Sequence, residues 1–452
     1  MASNIRIKMI EPSRYLANGR LLRRQRMLLP PALTFPLLAA LTPTECQVEV
    51  VYDKISTIDF NEPTDIAAIT SYTTNISRAY EIADQFRRRN VHVVMGGVHV
   101  SYEPDEALAH SDTVVIGEAE QLWPRFIDDF TRGKAKAVYR QSQRPDLAGL
   151  PIPRFELVER YHFPRLAKHH QPRFPLTPII PVQTARGCPN SCDFCTVTHF
   201  FGGQYRPRPL DEVVAEIKNL GARLIFFVDD NIFADPPRAK ALLRALIPLR
   251  VHWMGQAPLS AGRNPDLLAL ARQSGCIGLS TGMESLSDLS LAFMGKTINQ
   301  ITKYEESLAA FRKNGISIAV SMMYGFATDD ADVFKRSYQF LLRNRVPISA
   351  WWIVRPYPGT RFFQRLKKAG RLKHERWWLG RQANLNELKF SGLRIAEDVF
   401  YRELLAWYRR LFSLASILRR ILLPPQKKWW LKLLVNLLFR RSLKSDASLI
   451  ES

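Results

Sequence analysis

The chain has 452 residues, 46% hydrophobic and 23% charged, with 64 Lys and Arg against 42 Asp and Glu for a net charge of +22. The length exceeds one typical domain, so two or three are expected, with ample material for a buried core. The five cysteines, Cys46, Cys188, Cys192, Cys195 and Cys276, exclude a disulfide framework. No N-terminal apolar run suits a signal peptide and none of 18 residues suits a spanning helix, so a reducing cytoplasm is expected. The positive surplus favours an anionic partner, whether nucleic acid, anionic lipid or a phosphorylated substrate.

The first 140 residues alternate strand and helix patterns. Ile5 to Ile10, Gln47 to Asp53, Asp65 to Tyr72, Val91 to Gly96 and Thr113 to Gly117 read as strands. Pro30 to Leu41, Ser77 to Arg89 and Glu118 to Thr131 read as helices between them. This alternation predicts a doubly wound parallel α/β sheet, with ligands at the carboxyl ends of its strands. A Pro-rich, basic connection over 141–177 reads as a linker. Alternation resumes over 178–368, with strands at Ile179 to Thr184, Leu224 to Asp229, His252 to Gln256, Cys276 to Thr281, Ser317 to Tyr324 and Ile348 to Val354. Six such units predict an incomplete parallel (β/α)6 barrel with its functional residues at the strand ends.

The segment Arg186-Gly187-Cys188-Pro189-Asn190-Ser191-Cys192-Asp193-Phe194-Cys195 follows the first of these strands. Three thiolates on one loop can hold three irons of a cubane, whereas most clusters take four cysteines. Neither Cys46 nor Cys276 has a cluster-like setting, so one iron is left open to a small chelating molecule. The competing reading is structural zinc, which wants four ligands; His199 is the available fourth, but there is no second ligand pair.

Cys-x3-Cys-x2-Cys, with an aromatic before the last cysteine, resembles the signature of the radical S-adenosylmethionine (SAM) superfamily. The resemblance implies a [4Fe-4S] cluster on Cys188, Cys192 and Cys195, SAM on its open iron, and an external electron donor. It also implies that Phe194 meets the adenine. Asp230 in Phe227-Val228-Asp229-Asp230-Asn231, Gln256, and Glu284 with Ser285 in Gly282-Met283-Glu284-Ser285 resemble the family's SAM contacts at later strand ends. The alternative for Asp230, Glu284 and Ser285 is an ordinary helix cap. Arg206 and Arg208 could face the SAM carboxylate or belong to a solvated loop. Arg355-Pro356-Tyr357-Pro358-Gly359-Thr360 resembles a further barrel motif, with Arg355 where Thr is usual.

A doubly wound domain ahead of such a barrel resembles the cobalamin-binding class of the superfamily. The stretches that carry this are Leu29-Pro30-Pro31 with the Ala/Leu-rich helix after it, Ser71-Tyr72-Thr73-Thr74-Asn75, Gly96-Gly97-Val98-His99 and Gly117-Glu118-Ala119-Glu120, each after a strand. Cobalamin contacts are thereby implied for Ser71, Thr73, Asn75, Gly96, Gly97, His99, Gly117 and Glu118. The Asp-x-His-x-x-Gly cobalt-ligating motif does not occur, and His99 reads as a hydrogen-bonding residue rather than a cobalt ligand. The other reading of this domain is a sheet that binds nothing.

The last region, 369–452, is helical, aromatic and basic, with eleven Lys or Arg and three Asp or Glu over 401–452. It suits either an interfacial amphipathic segment on an anionic membrane or a helical subdomain over the barrel. No groove-reading motif supports nucleic acid. The expected function is cobalamin-dependent methyl transfer to an unactivated carbon of an apolar or lipid-like substrate, in the cytoplasm or peripherally on the inner face of the membrane. Cyclisation or rearrangement without methylation, and a non-catalytic cluster or cobalamin sensor, are the alternatives.

Overall fold

The computed structural model describes residues 5–24, 31–161, 178–380, 387–423 and 426–444. Residue contacts group the chain into two compact units. The first is Met1–Val182 with Asp211–Leu224 and Arg376–Leu385; the second is Gln183–Leu210, Ile225–Glu375 and Asn386–Ser452. The linear boundaries expected above are therefore crossed twice. Glu212 accepts the Gly149 N–H at 3.0 Å, and Trp378 donates to Glu106 at 3.0 Å, tying both late segments to early residues. Much of the expected linker, 162–177, lies outside the described residues.

The first sheet comprises β1 (Arg6–Glu11), β2 (Gln47–Tyr52), β3 (Ile66–Thr70), β4 (His92–Gly96), β5 (Thr113–Ile116) and β6 (Val138–Arg140). Its order is β2-β1-β3-β4-β5-β6, and every pairing is parallel. β3 and β5 are near-continuous buried runs, as a sheet covered on both faces requires. The covering helices include α1 (Thr34–Ala40), α2 (Ile76–Arg87), α3 (Val98–Tyr102), α4 (Pro104–Leu108) and α5 (Leu122–Thr131). α1 is shorter than the Pro30 to Leu41 expectation, and Pro30 itself lies outside the described residues. β6 escaped the sequence reading because its three residues alternate exposed, buried, exposed, with only Tyr139 inward.

The second sheet starts from β7 (Ile179–Val182); the two-residue strands β8 (Ala185–Arg186) and β9 (Arg206–Pro207) form a small antiparallel ladder after it. The later strands are β10 (Leu224–Phe227), β11 (His252–Gln256), β12 (Cys276–Glu284), β13 (Ser317–Tyr324) and β14 (Ile348–Ile353), in the order β14-β13-β12-β11-β10-β7. Between them run α6 (Thr196–Phe200), α7 (Leu210–Asn219), α8 (Pro236–Leu246), α9 (Pro265–Gln273), α10 (Asp288–Phe293), α11 (Tyr304–Lys313) and α12 (Val333–Arg343). After β14 come α13 (Arg361–Lys368), α14 (Glu397–Leu411), α15 (Leu414–Ile421) and α16 (Trp429–Lys444).

Here β13 and β14 alternate strictly between half-buried and buried residues. The buried face carries Tyr324 and Trp351, which pack on each other, on Phe334 of α12 and on Tyr408 of α14, with ring centroids 4.8–5.6 Å apart. Burying each such ring stabilises the fold by roughly 1.5–3 kcal/mol. The opposite, half-buried face mixes small and large residues, Ser321 and Ala350 beside Met323 and Trp352. Gly282, Ser321 and Ala350 sit side by side on β12, β13 and β14, and the Glu284 carboxylate fills the space that a Cβ on Gly282 would take.

Candidate functional site

The cysteine loop is anchored at its entry by two carboxylates, Asp229 buried and Asp230 half-buried. Asp229 accepts the Thr184 N–H at 2.7 Å and its hydroxyl as well. Burial pushes the Asp229 carboxyl up to about 6. Asp230 accepts the Gly187 N–H at 3.0 Å. Gly187 has φ 83°, and a Cβ there would run into the Gln204 carbonyl, so only glycine fits. At the other end, Asp193 donates its N–H to the Met294 carbonyl (2.9 Å), accepts the Phe362 N–H (3.0 Å), and pairs through its carboxylate with Arg365 at 3.0 Å.

The three cysteines lie on this braced loop as free thiols, Cys192 buried and the others half-buried. Burial raises the thiols of Cys188 and, to about 11, Cys192, so it is bound metal that would hold them as thiolates. Asn190 donates to the Cys188 sulfur at 3.3 Å. His199, the candidate fourth zinc ligand, is engaged at both ring nitrogens. Nδ1 meets the Cys195 carbonyl at 2.9 Å, so it carries the proton, and Nε2 accepts the Arg361 N–H at 3.3 Å. Among the described residues no three His, Cys, Asp or Glu side chains close on one point as ligands of a single ion do. Cysteines of a cubane each hold a different iron. The donor set suits a three-cysteine cluster better than zinc.

Glu284 ends β12 at a bulge in the β12–β13 register, with φ 64° in the left-handed region and only 5% exposed. Such strain in a non-glycine residue persists only where the surroundings impose it. Its carboxylate binds Lys296 at 2.9 Å. Burial alone would lower the Lys296 pKa, but the Glu284 carboxylate holds it above the ordinary lysine value. Lys296 also stands 5.9 Å from the Phe194 ring centroid. The cysteine loop, its aromatic and Glu284 therefore meet through one half-buried cation. Nothing in the sequence pattern singled out Lys296; its only signal is a Gly-Lys pair twelve residues after Glu284.

The remaining expected SAM contacts sit variously. Gln256 is exposed at the carboxyl end of β11. Ser285 is buried, and its hydroxyl accepts the Ser287 N–H at 3.1 Å. Neither Asp230 nor Ser285 is a helix cap: Asp235 caps α8 and Ser287 caps α10. Arg208 is not on a solvated loop. It is 5% exposed and donates to the Gln183 carbonyl at 2.9 Å.

In the first sheet, strand order reverses between β1 and β3, and loops beyond such a switch point form the ligand crevice. The loop after β3 is shaped by Asn75, which accepts the Tyr72 N–H (2.8 Å) and donates to the Pro12 carbonyl after β1 (3.1 Å). Gly97, at φ 103°, brings the loop after β4 so close that a Cβ would lie 2.6 Å from the Ser71 carbonyl. Among the described residues the buried Ser71 hydroxyl has no hydrogen-bond partner, and a buried orphan of this kind points to an absent ligand group. Gly117 (φ 97°) and Glu118, whose N–H donates to Gln141 at 2.8 Å, form the corresponding turn after β5. Close backbone and an orphan hydroxyl fit a flat macrocycle edged with amides.

His99 is fully buried. Its Nδ1 meets the Thr73 hydroxyl at 3.1 Å and its Nε2 meets Glu106 at 3.3 Å. With both nitrogens engaged it is placed to hold Thr73 and not to ligate a metal. Burial would raise the Glu106 pKa, but hydrogen bonds from His99, Tyr80 and Trp378 lower it, so a buried carboxylate anchors this network.

Two family models match the chain and between them span more than half of it: the radical SAM superfamily over residues 182–341 and a B12 binding domain over residues 44–127. Bacteriochlorophyllide d C-12(1)-methyltransferase of Chlorobaculum tepidum is 29% identical over 83% of this chain and 81% of that protein. Bacteriochlorophyllide d C-8(2)-methyltransferase of the same organism is 28% identical over 92% of both. The solved structure of the radical SAM methyltransferase TsrM from Kitasatospora setae, with cobalamin and a [4Fe-4S] cluster bound, shares the fold at TM-score 0.62 and 16% identity, over 80% of this chain and 78% of that one. The chain is an enzyme of the radical SAM superfamily, in its cobalamin-binding class, and its cofactors are a [4Fe-4S] cluster, SAM and cobalamin.

Proposed function

We propose that the enzyme transfers a methyl group to an unactivated carbon of an apolar, lipid-like substrate, a tetrapyrrole macrocycle being the first class to test. The observation that carries this reading is the similarity to two methyltransferases of bacteriochlorophyllide d along most of both chains. When bound, the cluster and SAM supply a hydrogen-abstracting radical, and cobalamin supplies a carrier for the methyl group. The chain's own part is positioning. The Glu284–Lys296 pair joins the cysteine loop to the end of β12. Arg355, 8% exposed just past β14, offers a cation to an acidic substrate group.

The test is anaerobic turnover of the reconstituted enzyme with reductant, methyl-labelled SAM and chlorin or hopanoid candidates. Methyl transfer predicts label in the product, with one S-adenosylhomocysteine and one 5′-deoxyadenosine formed per methyl. If 5′-deoxyadenosine forms with an altered but unlabelled product, the reaction is cyclisation or rearrangement instead. If SAM is not cleaved even with a strong reductant, the sensor reading replaces both.

A further inference from the structure

Helix α16 has its polarity reversed. The side it turns to the protein carries Lys432 (8% exposed) and Asn436 (0%), followed by Arg440. Asn436 donates to the Pro347 carbonyl (2.9 Å) and accepts from the buried Arg420 (3.1 Å), and Arg440 donates to the Phe412 carbonyl (3.0 Å). The outward side carries Trp430, Leu434, Leu437 and Leu438, each 39–50% exposed, with Trp429 beside them. In water an amphipathic helix buries its apolar stripe and exposes its polar one. Eight of the fourteen exposed large hydrophobics among the described residues fall between Leu414 and Leu438, on α15, α16 and their connection. Such concentration marks an interaction surface, not the ordinary scatter of apolar side chains.

The charge of this region says what covers that surface. From Leu404 to Ser445 there are ten Lys or Arg and no Asp or Glu. Next to the start of α16, at the amino ends of β13 and β14, lies a cavity of ≈ 280 Å³ lined by Arg312, Arg345, Lys427 and Lys432, with no acidic residue on its wall. Among the described residues the Lys432 side chain donates to the neutral amide oxygen of Gln426, at 2.8 Å, and to no carboxylate. Burial, and then Arg345, push the Lys432 pKa down to about 8, which an anion in the cavity would reverse. Trp and Leu beside clustered cations match the boundary of an anionic bilayer, where rings sit at the headgroups and Lys or Arg meet phosphates. No helix among the described residues is long and apolar enough to cross a membrane, so contact would be peripheral.

We propose that α15 and α16 dock the enzyme on an anionic phospholipid surface, the outward Trp/Leu row entering the interface and the cavity of Arg312, Arg345, Lys427 and Lys432 receiving a headgroup phosphate. The proposal stands independently of the substrate. The test is cosedimentation of the full chain with vesicles of phosphatidylcholine alone or mixed with phosphatidylglycerol. The variants are the outward double substitution Leu434→Ser/Leu437→Ser and the exposed Lys427→Gln. The expected result is binding to the mixed vesicles only, lost in the double variant and about fivefold weaker in Lys427→Gln. Lys427→Gln decides the matter should the double variant lose its helical circular dichroism.

Equal binding by wild type and Lys427→Gln, or binding to neither vesicle, overturns the proposal. So does stabilisation by inorganic phosphate without vesicle binding, which would give the cavity to a free anion. Lipid-free self-association that the double variant abolishes would give the face to a second copy, and competition by duplex DNA would give it to nucleic acid; either result overturns the proposal too.

Discussion

The carboxyl ends of the two parallel sheets make opposite kinds of site. At the first sheet the loops after β3, β4 and β5 are built from backbone proximity and short neutral groups: Gly97 against Ser71, Asn75 across to Pro12, Gly117 beside Gln141. The Glu106 carboxylate there is already hydrogen-bonded to His99, Tyr80 and Trp378. At the second sheet the ends carry charge and strain: Asp229 and Asp230 beneath the cysteine loop, and Glu284 forced to φ 64° against Lys296. A large, neutral, flat cofactor needs close walls and a few hydrogen bonds. A charged cluster and a charged sulfonium need fixed ions that do not reorganise. The strands differ as well: β3 of the first sheet is an almost wholly buried run, whereas β13 of the second alternates half-buried and buried residues.

Substitutions at each end should separate the two sites. The largest effect is expected for Cys188→Ala, Cys192→Ala or Cys195→Ala. Each should abolish the iron–sulfur absorption and all 5′-deoxyadenosine formation while leaving cobalamin binding in place, read by ultraviolet–visible titration. Loss of cobalamin binding as well would break the comparison. Gly187→Ala is next: the added methyl meets the Gln204 carbonyl in a left-handed backbone. Strain of about 1–3 kcal/mol is expected at that turn, seen as reduced iron incorporation with little change in cobalamin affinity. Glu284→Gln leaves Lys296 without its counter-charge. Breaking a buried pair typically costs about 3–5 kcal/mol, so urea should unfold the second unit at lower concentration, and Lys296→Met in the same background should restore part of the loss.

A smaller effect concerns pH. Burial pushes Asp329, which accepts the Gly325 and Phe326 N–H groups, up to about 6. A carboxyl whose pKa is raised by folding binds its proton more tightly in the folded chain. Its contribution to stability is therefore greatest below the unfolded value near 4, falls as pH rises to about 6, and is constant above. Asp329→Asn should flatten that part of the pH–stability curve, by ~1.4 kcal/mol for each unit of pKa removed. Asp229 contributes a slope of the same sign. The smallest effect is at the first sheet: Ser71→Ala removes one orphan hydroxyl, so cobalamin affinity should fall by only about 1 kcal/mol with SAM cleavage in its absence unchanged.

Much of this was legible in the sequence because strand periodicity and the cysteine spacing are local signals. β11 and β13 run over the expected residues, and every other strand of the second sheet was located within a few residues. The cysteine loop follows the first strand of the second sheet, where the motif put it. What was not legible depends on distant partners. Lys296 meets Glu284 only after an intervening helix, and Trp378 joins Glu106 across 272 residues. Asp230 and Ser285 are legible as strand-end polar residues, but Asp230 bracing the cysteine loop and Ser285 closing a turn depend on partners that the pattern does not name. The basic tail was read from composition, and composition could not show that Lys432 and Asn436 face inward while the leucines face out.

The central claim is that three cysteines hold a [4Fe-4S] cluster whose fourth iron takes SAM. Electron paramagnetic resonance of the reduced, reconstituted enzyme tests it most directly, with and without SAM carrying 17O in its methionine carboxylate. A single cubane whose spectrum shifts on SAM addition and gains 17O coupling is the predicted result. A spectrum that SAM leaves unchanged, or zinc in place of iron in the purified protein, would contradict it.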